Sequence, residues 1–531
     1  MTPPPIGHEG RTEDRSLLGG GLETALVAVT VLLVLLFVVV LLLVPDRTFA
    51  DDSYFYFQVA WNMARGMGST FNTIMPTNGY HPLWMLICTA VFKVIPSRPE
   101  AVHGIAAVIA VLDLLMLTTV ARLLRREAAY LWPIAFALLV PFCFGSQLGT
   151  EGALSGLFLA LVMWTAIHFV QMPDLGRAVA FALVIATAVL SRLDNIFIVA
   201  FVSAAVWLAP TGPARVAVGL RRRLQLLTLP IPLVLWAGYV GSNWIFFHTV
   251  QPISGMLKSH STTDHALGAN LPHSALIALL VIVPSFAVVA WRRRDLFFRV
   301  VELPFALGVL CHLLYILFVM SSETRWTWYY TSWMLLGAVL LARAASIVLR
   351  GRQQFAAAAC MAAMLVGAAA WYGVSYRKFL KGPETRPPAS FNAEVYGKLG
   401  VRRAIAFDEP GVYAFYSDIE IVPIDGLMGD LAFQHELATK GAQEFVDRAG
   451  IDAFIGPPSP IDEAGANEIC RKVFLSSEQF HCQPRGDGRY DLTAVDIYAR
   501  VPSTMAGTLP LAPDQAIWTL PNAIEVWRLR R

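Results

Sequence analysis

Residues 22–44 read LETALVAVTVLLVLLFVVVLLLV, and a few positions farther on stand Asp51 and Asp52. The run is long enough to cross a bilayer core, which takes about 20 apolar residues. It is too long for the core of a signal peptide and has no small-residue cleavage site behind it, so it reads as a retained helix. The two carboxylates therefore lie just beyond a membrane helix. Such a pair holds a cation, acts as a base, or is simply wet.

The rest of the chain follows the same membrane pattern. Of 531 residues 56% are hydrophobic and 15% charged, more apolar surface than a soluble domain can hide. A net charge of +3 gives no reason to expect a nucleic-acid partner. Apolar segments recur near 22–44, 101–121, 130–146, 152–170, 178–190, 194–209, 225–248, 272–291, 301–320, 326–342 and 355–376. In lipid, backbone groups must be paired within the segment, so each is expected to be a helix. The stretch 82–95 is apolar but short for a crossing, and is expected to lie along the membrane or re-enter it.

Four basic clusters set an orientation: Arg122, Arg125 and Arg126; Arg221 to Arg223; Arg292 to Arg294; and Arg343, Arg350 and Arg352. Counting helices places all four on one side, which the positive-inside rule makes cytoplasmic. About eleven crossings with a cytoplasmic N-terminus satisfy this. An alternative count lets one of the short pair 178–190 and 194–209 fail to span. The expected fold is a polytopic α-helical membrane protein with three parts. Residues 1–21 form a disordered cytoplasmic tail, 22–382 the transmembrane domain with a first outer loop at 45–81, and 383–531 an extracytoplasmic α/β domain. In that last part β-type runs fall at 403–407, 418–424, 452–456, 492–500 and 522–529, with helical stretches at 430–449 and 461–472.

Of six cysteines, Cys88, Cys143, Cys311 and Cys360 sit in apolar segments and read as small hydrophobes. Cys470 and Cys482 form a disulfide if their domain is exported and stay free thiols if it is cytosolic. No metal-ligand spacing joins them to histidines, which argues against zinc.

The candidate chemistry gathers on the outward side. Neighbouring carboxylates at 51 and 52 repel, which raises one pKa toward a usable base. A divalent cation, magnesium, manganese or calcium, would instead neutralise both. The sequence leaves base and ligand open. Behind them come Ser53-Tyr54-Phe55-Tyr56-Phe57-Gln58 and Thr77-Asn78-Gly79-Tyr80-His81-Pro82-Leu83-Trp84. His81 precedes a proline at a helix start, where its ring could meet a phosphate. Arg192 and Asp194 lie between apolar segments; ionisable groups at such depth are functional or pair internally, and both readings stand. Glu151 has the same standing. Lys258, Glu323 and Arg325 fall in outward loops, where a lysine and an arginine make an anion site. Trp326, Trp328, Tyr329 and Tyr330 read as an interfacial aromatic belt before a sugar platform. Asp408-Glu409-Pro410-Gly411 and Asp425-Gly426 read as turns.

Together these residues resemble bacterial membrane glycosyltransferases of the GT-C superfamily. The first-loop block is the most specific: Asp51-Asp52, Tyr54-Phe55-Tyr56, Gln58-Val59-Ala60, Asn62, Gly66, Gly68, Phe71 and Thr77 to Trp84. Gly149-Thr150-Glu151, Ser191-Arg192-Leu193-Asp194, Pro252 to Lys258 and Asp425-Gly426-Leu427 resemble further blocks. The resemblance implies an enzyme of the bacterial plasma membrane that takes sugar from a polyprenyl-phosphate donor. The acceptor would be a cell-envelope glycan, a glycolipid or a protein. It implies that Asp51 or Asp52 is the catalytic base or helps hold a cation. Asn78, Tyr80, His81, Arg192, Lys258 and Arg325 are the candidates for donor phosphate or substrate, with Glu151 and Asp194 nearby and unassigned. No Gly-rich phosphate loop follows a strand, which favours a lipid-linked donor over a nucleotide sugar. The competing class is a membrane transporter or lipid-linked-sugar flippase, which shares the helices and the buried charges.

Overall fold

The computed structural model describes residues 20–43, 45–125, 131–146, 149–209, 218–260, 273–293, 295–320, 327–350 and 352–381. Of the C-terminal part it describes 402–406, 410–417, 419–423, 427–433, 435, 445, 448–451, 453–456, 480–484, 490–494, 499–501 and 524–528. The chain is a polytopic α-helical membrane protein. Its helices are α1 (Gly20–Leu43), α2 (Pro45–Thr48), α3 (Asp51–Ala64), α4 (Pro82–Val94), α5 (Arg98–Leu124), α6 (Trp132–Ser146), α7 (Gly152–Gln171) and α8 (Leu175–Ser191). There follow α9 (Ile196–Leu208), α10 (Val218–Leu226), α11 (Pro230–Phe247), α12 (Ile253–His260), α13 (His273–Arg292), α14 (Leu303–Phe318), α15 (Thr331–Val348) and α16 (Arg352–Lys381).

A helix stands at each apolar segment expected from the sequence. Seven stretches among the described residues are long and apolar enough to cross a membrane, and α4, α6, α8 and α9 are shorter apolar helices. Burial orders them from centre to rim. The apolar windows of α7 and α15 are 72% buried, whereas that of the α10–α11 stretch is 17% buried. The α11 face carrying Leu233, Val234, Trp244, Ile245 and Phe246 is exposed, and in a bilayer it meets acyl chains. The α5, α7 and α8 helices pack together, α9 lies against α14, and α15 against α13 and α6.

At 1.5 Å per residue the thirteen residues of α4 span about 20 Å, less than the roughly 30 Å hydrocarbon core. The helix packs on α3, α5 and α8 while exposing Leu86 and Val94. Arg343 departs from its expected place in a solvated basic cluster. It is buried, bonded to Glu302 and, at 2.7 Å, to Asp295. Its charge is paired inside the bundle.

In the C-terminal part, strands β1 (Arg403–Ala406), β2 (Glu420–Pro423), β3 (Ala453–Gly456), β6 (Ala499–Val501) and β7 (Ile524–Arg528) form a sheet of order β2-β1-β3-β7-β6. Strand β1 runs parallel to β2 and β3, with Ile405 opposite Val422 and Phe454; β3–β7 and β7–β6 are antiparallel. A second pair, β4 (Phe480–Pro484) and β5 (Tyr490–Ala494), is antiparallel with Cys482 opposite Leu492. Five of the expected runs thus contain strands, and β4 is an addition. Between β1 and β2 stands a short helix, α17 (Pro410–Tyr416); Asp408 and Glu409 of the expected turn lie outside the described residues. The helix expected at 461–472 and the Cys470 thiol lie outside the described residues.

The α17 helix is one place where the two parts meet. It packs on α3, where Tyr54 and Phe57 meet Phe415 at ring-centroid distances of 5.5 and 5.9 Å. Phe92 of α4 closes the cluster 5.6 Å from Phe415. Aromatic pairs at this spacing add about 0.5–1.5 kcal/mol each beyond the area they bury.

Candidate active site

Where the first loop, α7, the α8–α9 junction, α11, α12 and α17's neighbours converge, they enclose a cavity of about 690 Å³. One end is polar, with Asp52, Tyr56, His81, Glu151, Arg192, Asp194, Lys258 and Tyr329. The remainder is largely apolar, including Ile196, Phe197, Val240, Val319 and Met320. The wall at Trp236, Tyr239 and Val240 belongs to α11, the helix whose other face is exposed and apolar. An amphiphile with a charged head fits such a division.

The sequence-adjacent aspartates part company here. Successive residues of an α-helix point about 100° apart, and both sit in the first turn of α3. Asp51 faces α17, where its carboxylate accepts the Gly411 N–H at 3.2 Å and the Val412 N–H at 2.7 Å. It does not line the cavity; Asp52 does. No hydrogen bond or ion pair to the Asp52 carboxylate occurs among the described residues. Burial pushes the Asp52 carboxyl above its ordinary value, Lys258 opposes that rise and Glu151 adds to it.

Lys258 is the cation that answers Asp52. Its Nζ donates to the Tyr329 hydroxyl at 3.0 Å. Burial works against its charge, but Tyr329 and Asp52 outweigh that and keep it protonated above the usual lysine range. The loop that carries Lys258 is fastened by Asn78. The Asn78 amide donates to Asn243 Oδ1 at 3.2 Å and to the Gln251 carbonyl at 3.4 Å, and its Oδ1 accepts the Ile253 N–H at 3.0 Å. Asn78, read from the sequence as substrate-binding, is instead buried away from the large cavity with its polar atoms satisfied inside the protein.

Glu151 is the hub of the polar end. It accepts the Tyr56 hydroxyl at 2.9 Å and Arg192 Nη1 at 2.6 Å, and His81 Nε2 lies 3.6 Å away. Because the Leu193 N–H donates to His81 Nδ1 at 3.3 Å, the ring proton belongs on Nε2, toward Glu151. Burial holds the His81 pKa below its ordinary value, against the pull of Glu151. Arg192 Nε donates to both oxygens of Asp194, at 2.8 and 3.0 Å. His312 Nε2 stands 3.1 Å from Asp194 Oδ2, and Trp333 donates to its Nδ1 at 3.2 Å. The Arg192 guanidinium lies 4.2 Å over the Tyr329 ring. Arg192 and Asp194 thus pair with each other and border the cavity.

Tyr80 presents its ring to the cavity while its hydroxyl bonds Ser69 Oγ at 2.5 Å. Arg325, with Glu323 and Trp326, lies outside the described residues. Tyr329, read as part of an aromatic belt, is a cavity residue that bonds Lys258. Sequence reading gave no role to His312, Tyr56, Leu427 or Met428, the last two of which bring the C-terminal part to the cavity. A histidine inside an apolar run, at 312, was the available signal for the first. Leu427 packs so closely that a Cβ on Gly79 would stand 2.1 Å from its carbonyl oxygen, which explains the glycine of the Asn-Gly-Tyr turn.

Asp51 and Asp52, which the sequence offers as possible ligands of a divalent cation, face different sides of α3. Asp51 is engaged by two backbone donors on the far side of the helix, and Glu151 and Asp194 already have Arg192 between them. Among the described residues no three His, Cys, Asp or Glu side chains converge on one point.

No family model matches the chain, and no curated protein does. Among solved structures it is similar to ArnT from Cupriavidus metallidurans bound to undecaprenyl phosphate, at 12% identity and a TM-score of 0.49 over 90% of this chain and 98% of that one. The apo form of the same protein is similar at 13% identity and a TM-score of 0.49, covering 86% and 97%. The arabinosyltransferase EmbB from Mycobacterium smegmatis is similar at 12% identity and a TM-score of 0.39, over 92% of this chain and 47% of that one.

Proposed function

We propose that this protein is an inverting glycosyltransferase that moves a sugar from a polyprenyl-phosphate donor to an acceptor hydroxyl on the extracytoplasmic side of a bacterial plasma membrane. The observation that carries this reading is the state of Asp52. It is the cavity carboxylate left without a hydrogen bond among the described residues, and Lys258 shares its cavity. A structural carboxylate in such surroundings is satisfied by donors, as Glu151 and Asp194 are. One held unsatisfied, with a raised pKa, suits proton abstraction.

In the proposed reaction Asp52 takes the proton of the acceptor hydroxyl, and that oxygen attacks the anomeric carbon from the face opposite the phosphate. The bond from the anomeric carbon to the phosphate oxygen breaks, and the electron pair leaves with polyprenyl phosphate. Configuration inverts, and the proton rests on Asp52 until water removes it. The leaving phosphate gains charge in a place poor in water, so a fixed cation is worth more there than in solution. Lys258 supplies it. Arg192 adds Nη2, the guanidinium nitrogen that its two carboxylates leave over. His81 and Glu151 hold Arg192 and the α8–α9 junction in place. The apolar cavity wall and α11 would take the first isoprene units.

The test is to incubate purified protein with synthetic polyprenyl-phosphate sugars and a panel of glycan, lipid and peptide acceptors, and read the anomeric configuration of the product by NMR. Transfer with inversion supports the assignment. Retention excludes the single displacement, and movement of intact donor across sealed vesicles without glycosidic cleavage supports the flippase class instead.

A further inference from the structure

The seat of the C-terminal part on the first turn of α3 assigns a task to the aspartate that faces away from the cavity. We propose that Asp51 is a positioning residue: by receiving the Gly411 and Val412 N–H groups it clamps the C-terminal part over the cavity and fixes the rotation of α3 that turns Asp52 inward. The inference rests on the reading of Asp52 as the base.

The geometry is specific. The two carboxylate oxygens of Asp51 each accept a different backbone N–H, at 3.2 and 2.7 Å, so the side chain is held at two points and cannot swivel about one. The backbone also comes close. A Cβ on Gly411 would stand 2.5 Å from the Asp51 carbonyl oxygen, so this position admits only glycine without displacement. The N-cap of α3 is Ala50, which makes no side-chain cap. The helix start therefore takes no orientation from a cap of its own. A second contact lies across the cavity mouth, where the Leu427 carbonyl rests on Gly79, and Leu427 and Met428 reach the cavity rim. Tyr54, one turn on from Asp51, packs on Phe415 and Tyr416 with centroids 5.5 Å from each. Holding α17 against α3 and aiming the base thus fall to adjacent residues of one helical turn. An aspartate pair does this where one aspartate could not, because the 100° step sends one carboxylate to each side.

The test uses the full-length purified protein and four variants, Asp51→Ala, Asp51→Asn, Gly411→Ala and Asp52→Asn, with steady-state kinetics and hydrogen exchange followed by mass spectrometry. The clamp predicts that Asp51→Ala lowers kcat about 10- to 100-fold, the loss expected when a reacting group is displaced by about 1 Å, while donor KM changes less than about twofold. Amides of 411–416 and of the first turn of α3 should exchange at least about tenfold faster. Gly411→Ala, with Asp51 intact, should reproduce both effects, and Asp51→Asn, which keeps one acceptor oxygen, should recover part of each. Wild-type kcat and exchange in Asp51→Ala would overturn the proposal. So would a loss as deep as that of Asp52→Asn with 411–416 still protected, since Asp51 would then act on substrate. If wild-type protein transfers no sugar, faster exchange in Asp51→Ala and Gly411→Ala still supports the clamp, and only the reading of Asp52 falls.

Discussion

Two side chains set the chemistry, and their dependence on each other can be measured. As a base Asp52 must be ionised, and its folded pKa lies above the ordinary 3.8 because burial disfavours the charge. The pH profile of kcat/KM should therefore fall on its acid side at a pH above the ordinary carboxyl value, as protonation removes the base. A profile flat down to pH 4 contradicts the assignment. Lys258 lowers that pKa, so Lys258→Met should move the acid limb to higher pH. The same change should raise donor KM by about 10- to 100-fold, the worth of a charge-assisted hydrogen bond to phosphate. A change in KM with no shift of the limb would separate the two groups. Much of this was legible in the sequence, since Asp52, His81, Glu151, Arg192 and Lys258 are polar residues in an apolar frame. Which aspartate faces the cavity was not. That choice is made by Gly411 and Val412, some 360 residues away, and no local pattern encodes it. Nor did spacing show that Asn78 fastens the loop that carries Lys258.

At the scale of elements, the site stands on the break between α8 and α9. Arg192 and Asp194 lie at this junction, and Glu151 at the start of α7 ties it to the neighbouring helix. Arg192 is buried between two carboxylates, with bonds of 2.6 and 2.8 Å to them. Arg192→Met should leave Glu151 and Asp194 as uncompensated charges and destabilise the protein by about 3–5 kcal/mol. Thermal unfolding in detergent measures this, and an unchanged midpoint would show that the pairing contributes little. The helices themselves were readable because lipid leaves a spanning segment no other way to pair its backbone. The α17 helix was not, since a Pro-Gly pair reads locally as a turn, whereas Pro410–Tyr416 is a helix packed on α3. Strand β4 escaped for a similar reason: Phe480-His481-Cys482-Gln483-Pro484 alternates weakly and ends in proline, and its pairing with β5 supplies the order.

For the molecule as a whole, the cavity joins an apolar wall at α11 to a polar end, with Leu427 and Met428 of the C-terminal part in its lining, which suits a substrate with a long apolar tail and a charged head. The orientation we propose puts that end outside. In a background without native cysteines, Met67→Cys should react with a membrane-impermeant maleimide in intact cells, and Arg223→Cys only after permeabilisation. The reverse pattern would invert the topology. The central claim is that Asp52 performs sugar transfer, and the most direct measurement compares wild-type protein and Asp52→Asn for transfer from a polyprenyl-phosphate sugar, with donor binding followed in parallel. The account predicts turnover reduced by about 10²- to 10⁴-fold with donor binding retained. Undiminished turnover in Asp52→Asn would contradict it.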